Sequence, residues 1–365
     1  MLGDRIKIAR NKAGLSLRQL SEAIQGKVSP QAIGKYERGE MLPSSSVLLA
    51  LSKALGVSLT YLIDTQGIEL GEIDFQCKSH INIQDRARVK TKVLEWVERY
   101  LQIEQILDMS SVEWERPINA SFKIRDIKES EKLADDVRRK WNLGYAPIPN
   151  MTELLEEKGI KVLTINLPRK VSGFTCSVKR FNNHLDIPVV VVNNQLSLER
   201  RRLILGRELG HQLIDPENLP QQNAEKIVNF FAEAFLMPRE HLEREVGKQR
   251  KCLGYQELIE LKRLYQVSGA ALLIRLQAIG IISEATLTYS FQSVARYWRT
   301  TEPEELEVAE ERGKKEQACR FERLCYRALA EGLISLSKAA ELLRKPIHEV
   351  EAGLKGPSCV YSDYC

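Results

Sequence analysis

No stretch of the 365-residue chain approaches the ~20 consecutive apolar residues that a membrane span needs. A membrane-embedded protein is therefore not expected. The opening Met1-Leu2-Gly3-Asp4-Arg5-Ile6-Lys7 lacks the apolar core of a signal peptide, and the expected location is the cytoplasm. Seven cysteines form no tight framework, which fits reduced thiols rather than a disulfide-stapled secreted domain. A large charge excess is missing too. Lys and Arg number 54 against 49 Asp and Glu, a net charge of +5 that permits nucleic-acid binding without demanding it. What is present is ordinary: 43% hydrophobic and 28% charged residues, enough for two or three domains with sizeable cores.

The first 64 residues carry the clearest local signals. Leu2 to Asn11 reads as a helix stopped near Gly14, and Leu17 to Ile24 as a second with Ser16 as its N-cap. Gly26 marks a turn. Ser29-Pro30 opens a third helix running to Arg38, with Ser as cap and Pro at the first helical position. Val47 to Leu55 and Ser58 to Ile63 make a fourth and a fifth. Five short helices with a tight turn between the second and third form a helix-turn-helix module. It contains nine basic and five acidic residues, so it holds most of the chain's positive excess. A bundle serving only as a protein-binding or structural unit is the bland alternative.

Leu15-Ser16-Leu17-Arg18-Gln19-Leu20-Ser21-Glu22-Ala23-Ile24, Val28-Ser29-Pro30-Gln31-Ala32-Ile33-Gly34-Lys35-Tyr36-Glu37-Arg38-Gly39 and Leu42-Pro43-Ser44 resemble the lambda-repressor-like XRE family. The resemblance implies a double-stranded DNA operator as partner, with the third helix entering the major groove N-terminal residues first. Gln31 and Lys35 would face base edges, Gln suited to adenine and Lys to guanine. Arg18, Gln19, Lys27 and Ser29 would hold phosphates. Leu20 and Ile33 read as core, and Glu37 as a structural tie. A module of this kind usually reads two half-sites, which implies a homodimer.

A second motif lies in Leu198 to Ile214. Arg207-Glu208-Leu209-Gly210-His211 sits on a stretch of helical apolar spacing, so positions 207 and 211 fall one turn apart on one face. Zinc peptidases carry His at both positions and a general-base Glu between them, as H-E-x-x-H. Here the first His is Arg207. Arg stays protonated and has no lone pair to give a metal.

With the preceding strand Val189-Val190-Val191-Val192-Asn193 and the downstream Ala224-Glu225-Lys226-Ile227-Val228-Asn229-Phe230-Phe231-Ala232-Glu233-Ala234-Phe235-Leu236-Met237-Pro238, this stretch resembles the ImmA/IrrE family of metallopeptidases over roughly residues 130–280. The resemblance implies a zincin-like α+β domain. It makes His211 and Glu225 the remaining metal ligands, with Glu233 the alternative for the acidic one, and Glu208 the catalytic residue of a degenerate site. The expected occupant of the metal position is the Arg207 guanidinium, paired with Glu225 across two helices; no cofactor is expected, zinc being the alternative. His184 is the only other His in the strand region.

The rest of the chain is read by pattern. Residues 67–129 form a connector with one long amphipathic helix, Asp85 to Met109, whose apolar set runs from Val89 to Leu107 and serves either packing in its own domain or dimerisation. Helices are expected at Ser130 to Trp141 and Thr152 to Lys158. Strands are expected at Ile160 to Ile165, Val171 to Val178 and Ile187 to Val192, as a three-stranded sheet. A helical pair, Glu257 to Tyr265 and Ser268 to Ile279, follows. Residues 286–365 form a helical C-terminal region with short helices at 320–331, 337–343 and 347–351; Leu333 to Arg344 has a weak helix-turn-helix look. Cys319, Cys325, Cys359 and Cys365 are paired with five intervening residues, wider than structural zinc prefers, so free thiols are expected.

The fold class is thus multidomain: an all-α helix-turn-helix domain at 1–66, the connector, an α+β zincin-like domain at 130–285, and an α-helical C-terminal region. The expected function is a DNA-binding transcriptional regulator whose peptidase-like domain is inactive and senses a small-molecule or protein effector. The alternative is a zinc metallopeptidase, targeted by its DNA-binding module, that cleaves a regulator.

Overall fold

The computed structural model describes residues 2–13, 15–57, 59, 62, 70–75, 83–109, 114, 116–117, 122–124, 126–168, 171–180, 186–215, 220–307 and 314–355. Its contacts divide the chain into two compact units. One takes residues 1–70, 95–111 and 319–365, and the other 71–94 and 112–318. The division differs from the expected one: residues 319–365 group with the helix-turn-helix module instead of standing apart. The connector is split between the units, and residues 286–318 join the α+β unit, where Ala295 and Trp298 lie in its main core.

In the first unit, α1 (Leu2–Lys12), α2 (Leu17–Ala23), α3 (Pro30–Glu37) and α4 (Ser45–Leu55) enclose a core of Ile6, Ala9, Leu20, Ile24, Ile33, Tyr36, Val47, Leu51, Leu55 and Leu62. The expected fifth helix falls largely outside the described residues, although Leu62 is helical and buried. Gly3 lets α1 approach α3: a Cβ there would sit 2.4 Å from the Tyr36 carbonyl oxygen, closer than any real contact allows. Arg10 on α1 donates from Nε and Nη2 to the Glu37 carboxylate at 2.6 and 3.0 Å, and from Nη1 to the Leu15 carbonyl at 2.8 Å. Glu37 is therefore the tie between helices that its sequence position suggested.

The long helix of the connector is α5 (Ile83–Ile106). Its apolar stripe, from Val89 through Val93, Val97 and Leu101 to Leu107, is buried, so packing within the chain uses it and it is not open as a dimer seam. Within the first unit Tyr100 of α5 stacks on Phe321 at 5.5 Å, and Trp96 meets Tyr100 edge-on at 5.1 Å. Phe321 belongs to the C-terminal helices α14 (Arg320–Ala330), α15 (Leu336–Leu343) and α16 (Ile347–Lys355), three short helices where three were expected. Cys325 is a free thiol, and burial pushes it up to about 12. Cys359 and Cys365 lie outside the described residues.

The second unit holds β1 (Leu70–Phe75), β2 (Phe122–Lys123), β3 (Lys161–Ile165), β4 (Gly173–Arg180), β5 (Ile187–Asn193) and β6 (Ile214–Asp215). The main sheet has four strands in the order β1-β4-β5-β3, where three were expected. The additional strand, β1, lies in the stretch read as connector; residues 76–82 lie outside the described set. β5 is the hub. It pairs parallel with β3, Val162 opposite Val190, and antiparallel with β4, Phe174 opposite Val191. Every residue of β5 is buried, the continuous apolar run expected of a strand covered on both faces. β2 and β6 form a short parallel pair.

Around the sheet lie α6 (Ile127–Lys140), α7 (Met151–Glu157), α8 (Leu198–Leu213), α9 (Gln221–Leu236), α10 (Arg239–Val246), α11 (Tyr255–Tyr265), α12 (Gly269–Ala278) and α13 (Glu284–Gln292). One core joins sheet and helices, from Leu133 and Val137 through Val190 and Val192 to Leu205, Leu209, Phe231 and Phe235. Several charged side chains pin this core. Arg138 donates to the carbonyls of Phe235 and Gly144 at 2.7 and 2.8 Å. Glu316 accepts from the Met151 and Thr152 amides at 2.9 and 2.8 Å, so its carboxylate caps the N-terminus of α7. Arg202, which is fully buried, pairs with the same carboxylate.

Candidate functional site

Two sites follow from the sequence, one in each unit. In the N-terminal module, α2 and α3 are set by their caps. The Ser16 hydroxyl accepts from the Gln19 amide at 3.2 Å, while the Gln19 side chain accepts from the Ser16 amide at 2.8 Å: a reciprocal capping box. The Ser29 hydroxyl caps α3 by accepting from the Ala32 amide at 3.3 Å. Between the helices Gln25 and Gly26 both take left-handed backbone, and the Ser21 hydroxyl donates to the Val28 carbonyl at 2.7 Å. The turn is thereby fixed.

Gln31 and Lys35 lie one turn apart on α3 and are both exposed, while Ile33 and Tyr36 of the same helix are buried. Arg18, Gln19, Lys27 and Ser29 are exposed as well. Two of these have a structural duty that limits them: Gln19 and Ser29 already serve as caps. Arg18 makes an exposed pair with Glu22 at 3.3 Å, worth little in water. Lys7 and Arg38 are further exposed cations of the module, and Arg38 is held by Glu40 at 2.7 Å.

The second site is built by α8 and α9. Gly206 and Gly210, four residues apart on α8, let the two helices close. A Cβ on Gly206 would lie 3.1 Å from the Ala232 Cβ, and one on Gly210 would meet Phe231 and Val228 at 3.0 and 3.1 Å. Leu205, Leu209 and Leu213 turn into the core. Arg207 and His211 are left facing α9, where Glu225 stands. Nη2 of Arg207 donates to Oε2 of Glu225 at 2.7 Å, and Nε2 of His211 lies 3.9 Å from Oε1 of the same carboxylate. The expected pair across the two helices is present. Glu225 is the carboxylate at this site, whereas the charged neighbour of Glu233 is Arg275.

Glu208 points the other way, toward the sheet, and is 3% exposed. Burial pushes its carboxyl up to about 7, with Glu225 adding to the rise; the Arg207 charge and a hydrogen bond from the Thr175 backbone oppose it. Burial also lowers His211, as does the Arg207 charge, against the pull of Glu225. The imidazole is therefore neutral at neutral pH. Gln212 donates to the Thr175 hydroxyl, tying α8 to β4 beside Glu208. Cys176, next on that strand, is fully buried and its thiol is pushed up to about 12, so it offers no thiolate.

A metal fits these residues poorly. Two donors, His211 and Glu225, face the position, and a catalytic zinc needs three protein ligands. The third place is held by a guanidinium, which repels a cation and already takes a carboxylate oxygen of Glu225. Among the described residues no group of three His, Cys, Asp or Glu side chains is placed to hold a metal ion. His184 lies outside the described residues.

With that geometry in view, the comparisons with known proteins are specific. A family model described as Helix-turn-helix matches residues 6–62, and one described as IrrE N-terminal-like domain matches residues 155–277. The chain carries an XRE-type helix-turn-helix at its N-terminus and an IrrE-like domain. It is also similar to the 26 kDa repressor protein of Escherichia phage HK022, 28% identical over 134 residues, which are 34% of this chain and 57% of the repressor. The chain thus spans little more than half the length of that relative. A solved structure of ComR from S. thermophilus, in complex with DNA and its signalling peptide ComS, aligns over 97% of this chain and 99% of its own at 13% identity. Its TM-score of 0.18 is too low to carry any argument. Among the described residues no helix is long and apolar enough to cross a membrane.

The sequence missed the residues that shape the second site without touching its chemistry. Gly206, Gly210 and Ala232 are legible in hindsight as small residues at helical spacing on facing helices. Nothing marked Gln212 or Thr175.

Proposed function

We propose that this protein is a sequence-specific DNA-binding transcriptional regulator and that its IrrE-like domain does not hydrolyse peptides. The observation that supports the second half is the 2.7 Å pair between Arg207 and Glu225, two residues at positions where the resemblance implies metal ligands. Glu208 is buried toward the sheet, away from Arg207 and His211, and has no metal-activated water to work on, and His211 alone gives one imidazole. What remains is a rigid two-helix joint suited to binding an effector, a small molecule or a protein. The regulator acts as a homodimer on a double-stranded operator, in the manner suggested by the similarity to a phage repressor. The exposed Gln31 and Lys35 on α3 read bases, and Arg18 and Lys27 contact phosphates.

Selection of bound duplexes from a random pool by the full chain tests this reading. The expected product is a short preferred sequence in two copies. Gln31→Ala should then cost about 1–3 kcal/mol and relax preference at one base, leaving the salt dependence unchanged. A pool that stays random, or a Gln31→Ala variant with undiminished preference, would overturn the assignment.

A further inference from the structure

The α+β unit carries one surface that neither the helix-turn-helix nor the α8–α9 joint uses. α13 and the turns after it, residues 284–301, are anchored by Ala295 and Trp298 in the core, with Gly269 packed against the Trp298 ring. The outward side of the same segment is rich in rings and guanidiniums. Tyr289 is 70% exposed and Tyr297 66%, the two most exposed aromatic side chains among the described residues. The Arg296 guanidinium stands 5.7 Å from the Tyr297 ring, and that of Arg299 only 4.2 Å from the Phe291 ring. Neither guanidinium has a carboxylate partner among the described residues, although most other arginines of this unit do. Thr288, Gln292, Ser293, Thr300 and Thr301 are exposed here too and can hydrogen-bond a phosphate, beside an exposed Val294; Glu284, at the start of α13, is the segment's one carboxylate. The Thr286 hydroxyl donates to the Lys251 carbonyl at 3.4 Å, which brings the exposed Lys251 alongside.

We propose that this face, centred on Tyr289, Arg296, Tyr297 and Arg299, binds single-stranded nucleic acid. Planar rings that stand clear of their neighbours offer stacking platforms for unpaired bases, and unpaired cations beside them track the backbone. From Ala285 to Thr301 there is no carboxylate to repel phosphates. A protein partner fits less well. An acidic protein segment would meet the same cations but brings no unpaired bases to stack on the two exposed rings. The Arg299 guanidinium lies over the Phe291 ring, a contact that restricts its direction and lowers the entropy lost on meeting a phosphate. The helix-turn-helix keeps the duplex, and this second contact takes an unpaired strand.

The test uses the full chain and a fluorescent poly-dT oligonucleotide, read by anisotropy over a range of salt. Three variants are compared: Tyr289→Ala/Tyr297→Ala, Arg296→Gln/Arg299→Gln, and Gln31→Ala/Lys35→Ala in the helix-turn-helix. The tyrosine pair should lose affinity by about tenfold per ring. The arginine pair should lower the salt slope by about 1.4, at ~0.7 per single-strand phosphate contact. The helix-turn-helix variant should bind the oligonucleotide as wild type does. All the substituted side chains are exposed, so unchanged thermal melting certifies the fold of each variant. Two results would overturn the proposal: oligonucleotide binding lost only in the helix-turn-helix variant, or a face that binds a poly-glutamate peptide and leaves poly-dT free.

Discussion

Removing Arg207 should destabilise the α8–α9 joint by an amount set by how far water reaches the pair. The guanidinium is 25% exposed and the Glu225 carboxylate 32%. Exposed pairs are worth about 0.2–1 kcal/mol, and breaking a buried one costs about 3–5 kcal/mol. A pair at this depth, closed at 2.7 Å, belongs between them. Arg207→Ala is therefore expected to cost about 1–2 kcal/mol, which for a unit of this size lowers Tm by about 2–8 °C. Part of that cost is not the pair itself. Arg207 also holds down the Glu208 carboxyl, so its loss leaves Glu208 further above its ordinary range. A double-mutant cycle isolates the pair: Arg207→Ala, Glu225→Ala and both together, followed by urea denaturation. The single substitutions should fail to add by about 1 kcal/mol. Strict additivity would mean that Arg207 and Glu225 do not act on one another, and the substitute for a metal would lose its physical basis.

Other consequences are checked separately. Glu208 has its folded pKa raised from 4.5 to about 7, so the stability it contributes is complete below pH 4.5 and is lost as pH rises to about 7. Relative to Glu208→Gln, the wild type should lose on the order of 3 kcal/mol across that window, and parallel stability–pH curves would contradict the assigned burial. Glu316→Ala removes the cap of α7 and strands the buried Arg202, so a loss of about 3–5 kcal/mol is expected in chemical denaturation; a loss below about 1 kcal/mol would show the network to be loose. Light scattering should give a species of twice the 41.6 kDa chain mass, and a monomer with and without DNA would remove the homodimer.

How far the sequence announced this structure depends on what each residue reports. Caps and breakers were local and legible: Ser16, Ser29-Pro30 and Gly39 bounded α2 and α3 to within a residue or two. The Arg207–Glu225 pair was legible because a motif of known spacing had one member of the wrong charge, and a carboxylate one helix away had to answer it. The core Val run of β5 announced a strand covered on both faces. By contrast β1 is polar enough, as Leu70-Gly71-Glu72-Ile73-Asp74-Phe75, to hide in a connector, and its place in the sheet depends on pairing with residues a hundred positions later. The amphipathic stripe of α5 indicated burial but not its partner. Glu316 was unreadable for the same reason: its partners on α7 and α8 lie more than a hundred residues away, and no local rule links them.

The central claim is that an arginine holds the place of a catalytic metal. Zinc content by mass spectrometry, on the wild type and on Arg207→His purified with zinc supplied, tests it most directly. The wild type should carry only traces and show no peptidase activity. The Arg207→His variant adds an imidazole to the donors His211 and Glu225, which makes three, and should retain zinc. Stoichiometric zinc in the wild type, together with peptide cleavage that a chelator abolishes, would contradict the account.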